Sequence, residues 1–342
     1  MRLNTALIVL SMAVLSAGCS PYLYKGEINE FSKGVNQLAE ANTIGVRNAN
    51  EARANRSRWI WLNEKPKLTL TDGCEGIKTT EWKPCGLKEN ERKTVSKSTP
   101  KVSEPIKEGG SGVVGQSDQG PRESIPIQDD AKAIVKALQD YADGLAAVTN
   151  AADREALDKA QAELTQSVGG LATEVAKLSG QPVAAQVKPI TDLFTTIATV
   201  MLDTRRYQAL QREVKKARQP VADLGKNLGD MLTNLRDTQV NALRGTATEL
   251  ELKLGPQFDE STYATRLDAL QSTATALEAL RSVNPKEAAD KMVEAHNELA
   301  NALAENQGQA EAVLQATKTF FDKAKAVREA FATGADAQKG SK

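Results

Sequence analysis

The chain has few residues whose chemistry could serve catalysis. Among its 342 residues, His296 is the single histidine, so a hydrolase of the Ser–His type would have to use it. His296 falls between Met292 and Leu299, at a seam position of a predicted heptad repeat. We interpret it as a side chain that fills a seam slot or lies at its edge. A second interpretation is a pH-sensitive register residue, since protonation near neutrality would charge a half-buried slot.

Other sequence patterns typical of catalytic or ligand sites are missing. The glycine-rich run 109–115 lacks the Gly-Lys-Ser/Thr ending and the flanking strand of a phosphate-binding loop. No set of cysteines and histidines has the spacing of a metal site. The acid pairs 129–130 and 259–260 stand at predicted helix starts, where the helix dipole favours them. We therefore predict a protein that is not an enzyme and that holds no metal and no cofactor.

Charge and composition limit the classes of partner. Lys plus Arg number 44 and Asp plus Glu also number 44, so no global field favours nucleic acid or an anionic surface. We expect no nucleic-acid partner. Aromatic residues make up only 4% of the chain, and alanine, leucine, glutamine, glutamate and lysine are abundant. This composition favours long helices over sheets.

The first twenty residues have the form of an export signal. Arg2 supplies a positive start, residues 6–15 give a short apolar run, and small residues then lead to Cys19. This pattern is typical of a secretory signal peptide and is too short for a spanning helix. The ending Ser16-Ala17-Gly18-Cys19 resembles the lipobox of bacterial lipoproteins. The resemblance implies cleavage before Cys19, lipidation of that cysteine with acyl chains such as palmitate, and, because Ser20 is not aspartate, an outer-membrane location.

Cys74 and Cys85 remain once Cys19 is set aside. An even pair of cysteines in an exported protein is typical of a disulfide, and turn-forming residues stand beside both cysteines. A zinc site would need about four ligands, and no histidine lies near in the sequence. We predict a Cys74–Cys85 disulfide that staples a small lobe over residues 58–87.

This lobe is predicted to contain a β-hairpin. Residues 59–62 and 67–71 both alternate between apolar and polar positions, with 63–66 as the turn. A segment this small buries little apolar surface, so a disulfide is the expected means of stabilising it.

The tryptophans of the chain all fall in this region, at Trp59, Trp61 and Trp82. One interpretation is a miniature core with a solvated basic rim. The other is an interaction patch, made by the tryptophans with Arg56 and Arg58, that contacts lipid headgroups or an acidic partner.

The rest of the chain is predicted to be helical or disordered. Apolar residues between 129 and 333 step by three and four, which predicts an elongated antiparallel helical bundle or coiled coil. Pro220 and Pro285 would kink long rods or mark the corners of a shorter bundle. The predicted fold class is all-α with the hairpin lobe near the N-terminus. Its parts are a signal peptide (1–18), a tether and N-terminal helix (19–57), the lobe (58–87), a disordered linker (88–128), the bundle (129–333) and a disordered tail (334–342).

The N-terminal helix is expected to need another part of the protein for support, because helix propensity alone rarely suffices. Together these features predict an outer-membrane-anchored, non-enzymatic lipoprotein whose bundle binds a protein or acts as a periplasmic spacer. Its partners would be the membrane, through the lipid, and an unidentified envelope protein; self-association and the membrane face stay open. The alternative is a membrane-active helical protein, either a pore-former or a phage-exclusion, toxin-exclusion or immunity lipoprotein.

Overall fold

A computed structural model describes residues 24–64, 68–70, 87–89, 126–180, 202–253, 260–305 and 310–340. Within these ranges the chain forms seven helices and two short strands. In chain order they are α1 (Lys25–Glu64), β1 (Leu68–Leu70), β2 (Leu87–Glu89), α2 (Pro126–Asn150), α3 (Arg154–Leu178), α4 (Leu202–Lys253), α5 (Glu260–Ser282), α6 (Pro285–Glu305) and α7 (Ala310–Gly340). The chain divides into two compact units, one of residues 1–50 and 126–342 and the other of residues 51–125.

Local sequence accounts for several helix boundaries. The side chain of Asp153 accepts a hydrogen bond from the Ala156 amide at 2.8 Å and so caps the start of α3. Gly180, just after the same helix, has φ of 64°, a conformation that glycine adopts without strain. At the start of α6, the Asn284 side chain accepts from the Glu287 amide at 3.3 Å and so caps this helix.

The two prolines that the sequence left ambiguous behave differently. Pro220 lies inside α4, which continues from 202 to 253 despite the lost backbone donor. Pro285 is the first residue of α6, a position where its missing N–H would have no partner in the helix anyway. Pro220 therefore lies within a long continuous helix, and Pro285 begins a new one.

α4 is the axis of the larger unit, and it packs against α2, α3, α5, α6 and α7. Near its start, Arg206 donates to the Ala151 carbonyl in the α2–α3 connection. Farther along, Arg236 donates to the Val283 carbonyl in the α5–α6 connection at 3.1 Å. A continuous buried core joins these helices, and the predicted helical bundle is thereby confirmed.

The first half of α1 belongs to this bundle. Ser32 donates to Asp143 of α2 at 3.0 Å, and the Asn48 amide donates to the Phe331 carbonyl of α7 at 3.1 Å. Its buried apolar side chains include Ile28, Phe31, Val35 and Leu38. Packing on α2 and α7 thus supplies the stabilisation that a helix with a weak apolar stripe needs.

The fold class predicted from the sequence is wrong, because the hairpin lobe does not form as expected. Residues 59–64 continue α1, so 59–62 is helix and not strand. β1 pairs antiparallel with β2 instead, with Leu68 opposite Glu89 and Leu70 opposite Leu87. Extending an existing helix by one residue costs little free energy once its nucleus has formed. Helix propagation therefore outweighs the strand preference of an alternating segment only four residues long. The disulfide predicted to staple the lobe lies outside the described residues.

The disordered tail predicted at 334–342 is also wrong over most of its length, because α7 runs to Gly340. Ala335 and Ala337 are buried. A Cβ added at Gly334 would lie 3.0 Å from the side-chain Nε2 of Gln239 on α4. Close packing on α4 and the good helix propensity of alanine therefore hold the last turns in place.

Candidate functional site

His296 lies in a buried group of four rings, called here the ring cluster, where four helices meet. Its members are Phe31 of α1, Tyr141 of α2, His296 of α6 and Phe320 of α7, each at most 1% exposed. Ring centroids are 5.6 Å apart for Phe31–Phe320, 6.1 Å for Phe31–His296 and 5.6 Å for Tyr141–His296. These are the separations and tilts that aromatic pairs prefer.

Helical spacing explains how the rings converge. Tyr141 continues the buried steps of Leu138 and Leu145 along α2, and His296 does so between Met292 and Leu299 on α6. α1 approaches α7 closely because residue 34 is glycine. A Cβ added there would lie 2.5 Å from the ring of Phe320, and the packed core leaves no room for it.

Tyr141 and His296 form the central polar contact. The Tyr141 Oη and the His296 Nε2 are 2.7 Å apart. Burial, with a smaller contribution from the charge of Arg218, lowers the pKa of His296 to about 3. Burial, with a smaller contribution from Glu213, raises the pKa of Tyr141 well above its usual value. Both side chains are therefore neutral at physiological pH, and this is a neutral hydrogen bond.

This geometry decides between the two interpretations of His296. A side chain that fills a seam slot is confirmed, because the imidazole is wholly buried. A register residue that titrates near neutrality is wrong, since full burial moves its pKa far below 7. The reason is that the slot is closed by rings from three other helices and is not half-exposed as the sequence suggested.

What the ring cluster can do is specify helix packing. A slip of α2 against α6 would leave the Tyr141 hydroxyl and the His296 imidazole without each other, at the cost of burying unpaired polar groups. The Nδ1 of His296 already has no hydrogen-bond partner among the described residues. Glu213 of α4, also fully buried, accepts from Arg212 at 2.6 Å and from Lys216 at 3.3 Å, so its charge is compensated locally.

Most of the site residues predicted from the sequence lie elsewhere. The backbone of α1 includes Trp59, Trp61, Arg56 and Arg58 as helix; their side chains lie outside the described part. Cys19, Cys74, Cys85 and Trp82 also lie outside the described residues. Lipidation, the disulfide and the tryptophan patch therefore stay predictions.

Two surface features were not predicted from the sequence. A groove of about 660 Å³ between α2 and α3, called here the acidic groove, is lined by Asp140, Asp143, Glu163 and Glu174 among others. A pocket of about 380 Å³ between α4 and α5, called here the arginine pocket, is lined by Arg236, Asp237, Val240, Asn241, Arg244 and Arg281. The spacing of Arg236 and Arg244 along one helix face was visible in the sequence, but the pairing with α5 was not.

In the described part of the chain, no helix combines the length and apolar character that crossing a membrane requires. The same residues include no group of three or more His, Cys, Asp or Glu side chains that could share a metal ion. Comparison of the chain with protein-family models, with curated proteins and with solved structures finds no match in any of the three.

Proposed function

We propose that this protein is a cell-envelope lipoprotein, held to the outer membrane by acyl chains on Cys19, whose helical bundle binds a partner protein through its surface. The observation that carries the proposal is the way polar groups are divided in the bundle. Tyr141 and His296 pair with each other inside a closed core, while the arginine pocket and the acidic groove are open to solvent. Recognition chemistry thus lies on the outside of the bundle.

The first turn of α1 supports anchoring at one end of the bundle. Four residues separate Cys19 from Tyr24, so their Cα atoms lie at most about 18 Å apart. Asn150, at the end of α2, donates to Asn29 at 3.0 Å, and Arg206 of α4 contacts the neighbouring α2–α3 connection. A lipid on Cys19 would therefore hold this end of the bundle near the membrane. Two or three acyl chains bind a bilayer stably, whereas one does so only marginally.

Substitution of Cys19 tests the anchor. Cys19→Ser should leave uncleaved precursor or released protein and should remove the chain from the outer-membrane fraction after a high-salt wash. Cys74→Ser is the matched control, because it removes a cysteine and leaves the lipidation site intact. Outer-membrane association of Cys19→Ser that survives the wash would refute lipid anchoring.

Site-specific photocrosslinking in intact cells tests protein binding. Photoreactive residues at Asn241, in the arginine pocket, and at Gln166, in the acidic groove, sample both surfaces from exposed positions. A discrete adduct to one envelope protein from either position supports the proposal. Adducts from neither position, or dye release from liposomes by the unlipidated protein, would contradict it and favour the membrane-active alternative.

A further inference from the structure

The arginine pocket concentrates three guanidinium groups around one surface cavity. Arg236 and Arg244 are eight residues apart on α4, slightly more than two helical turns, and so share a face. Arg281 comes from the last turn of α5. Asp237 is the acid among the lining residues, so the lining is net positive.

Two of the three guanidinium groups are uncommitted. Arg236 donates from Nε and Nη2 to Asp237 Oδ1 at 3.0 and 2.8 Å, and from Nη1 to the Val283 carbonyl. The side chains of Arg244 and Arg281 are exposed and make no hydrogen bond or ion pair with any described residue. Their donors are therefore available to a ligand.

Charged side chains elsewhere on the bundle surface are only partly paired. Some lysines pair with acids one turn away, for example Lys136 with Asp140 at 2.8 Å, Lys177 with Glu174 at 2.7 Å and Lys291 with Glu294 at 2.6 Å, whereas the exposed Lys132, Lys215 and Lys226 make no ion pair with any described residue. At the arginine pocket, Arg244 and Arg281 face one cavity without such a partner, while Arg236 is paired with Asp237. An anion bound in this cavity would be attracted by both charges.

An apolar groove adjoins the pocket along α5. It has a volume of about 440 Å³, is lined by Ala274 and Leu277 with Glu278 and Ser282, and shares Arg281 with the pocket. A ligand that spans both features would need an anionic group next to an apolar one. The planar fork of arginine matches a carboxylate with two parallel hydrogen bonds.

We propose that the arginine pocket and this adjoining groove bind a segment of a partner protein in which an aspartate or glutamate stands next to an apolar residue. Arg244 and Arg281 hold the carboxylate, and Leu277 contacts the apolar side chain. The inference rests on the proposed function, since it identifies the surface through which the bundle binds its partner.

Position favours a protein segment over lipid headgroups. Arg206 marks the end of α4 near the start of α1, because it contacts Ala151 in the α2–α3 connection and the adjacent Asn150 donates to Asn29 of α1. Arg244 lies 38 residues farther along α4, a distance on the order of 57 Å at the rise of an α-helix. The pocket is therefore at the opposite end of α4 from the proposed anchor.

The test uses the purified full-length protein and fluorescence anisotropy of a rhodamine-labelled peptide of glutamate and leucine. Arg244→Gln/Arg281→Gln should weaken peptide binding about tenfold. The matched control is Arg154→Gln/Lys159→Gln, which removes two positive charges from exposed side chains of α3 in weak pairs of 3.9 and 4.0 Å. The control should change affinity less than about twofold, and both variants should keep the wild-type circular dichroism spectrum and melting temperature, because neither pair of side chains is packed in the core.

Comparison ligands sharpen the result. A peptide with glutamine in place of glutamate should bind about tenfold more weakly to the wild-type protein, since it lacks the carboxylates. Equal weakening by both double variants would show non-specific charge attraction and overturn the proposal. Undiminished binding of the glutamine peptide would also overturn it. So would arginine-dependent binding of phosphatidylglycerol vesicles or of inorganic phosphate, with no binding of the glutamate peptide. A crosslink from Gln166 alone, with no peptide binding, would leave the proposed function standing and reject this inference.

Discussion

Lowering the pH from 7 to 5 should destabilise this protein through His296. Burial keeps the pKa of this imidazole at about 3 in the folded chain, against about 6.5 in an unfolded one. Between these values the unfolded chain binds a proton that the folded chain does not, so the free energy of unfolding falls as the pH falls. Well above pH 6.5 neither state is protonated and the full stability is present.

The size of the effect follows from the two pKa values. The difference corresponds to a loss of about 2 kcal/mol between pH 7 and pH 5, growing to about 4 kcal/mol at pH 3. Because the chain has a single histidine and carboxylates titrate mainly below pH 5, the slope between pH 5 and pH 7 reports His296 almost alone.

Urea unfolding followed by far-ultraviolet circular dichroism measures this slope. His296→Gln is the comparison variant, since its amide can still hydrogen-bond to Tyr141 but does not titrate. Its free energy of unfolding should be nearly flat from pH 7 to pH 5. Parallel slopes in the two proteins would refute the reasoning, as would a folded-state imidazole resonance that titrates with a midpoint near 6.5.

Three further predictions concern packing and the disulfide. Tyr141→Phe should lower the free energy of unfolding by about 1–3 kcal/mol, because it leaves His296 unpaired. Tyr207→Phe should cost less, because Gln211 also donates to the Leu303 carbonyl that Tyr207 contacts. Equal losses for the two variants in urea titrations would contradict this prediction. Gly34→Ala should lower stability by about 1–3 kcal/mol, because the added Cβ clashes with the Phe320 ring. Gly170→Ala should raise thermal stability slightly, because a Cβ added there has no neighbour within 4 Å. An unchanged stability of Gly34→Ala would be inconsistent with the close approach of α1 and α7. Reduction of the predicted Cys74–Cys85 disulfide should shift tryptophan fluorescence and leave the helical ellipticity of the bundle nearly unchanged, and two alkylatable thiols in the oxidised protein would exclude the disulfide.

Helical periodicity predicted those parts of the fold in which each helix buries a regular stripe. The steps of α2 and α6, with Tyr141 and His296 on them, are clear in the sequence because every third or fourth residue is apolar or semi-polar. The alternation of residues 59–62 led to a wrong strand prediction, because four alternating residues do not stop a helix that already extends from Lys25. The last turns of α7 were not predicted, because Ala335 and Ala337 stabilise them only through burial against neighbouring helices.

The candidate sites show the same limit more sharply. The seam position of His296 was predictable, but its partner is 155 residues away along the chain, and periodicity does not say which helices are neighbours. The arginine pocket likewise depends on the pairing of α4 with α5, which brings Arg281 to Arg244. Local pattern identifies buried faces, whereas pairwise chemistry between helices depends on topology.

The placement of α1 has a mechanical consequence. Tyr24 is already buried, so a pulling force transmitted through a lipid on Cys19 would enter the bundle at the very start of this helix. α1 runs alongside α2 and α7, to which it is tied at Ser32–Asp143 and Asn48–Phe331. Tension along its axis would load these contacts together in shear instead of peeling them apart one at a time. α1 would then carry this tension, and the close packing of the Phe320 ring against Gly34 would resist sliding of α1 along α7.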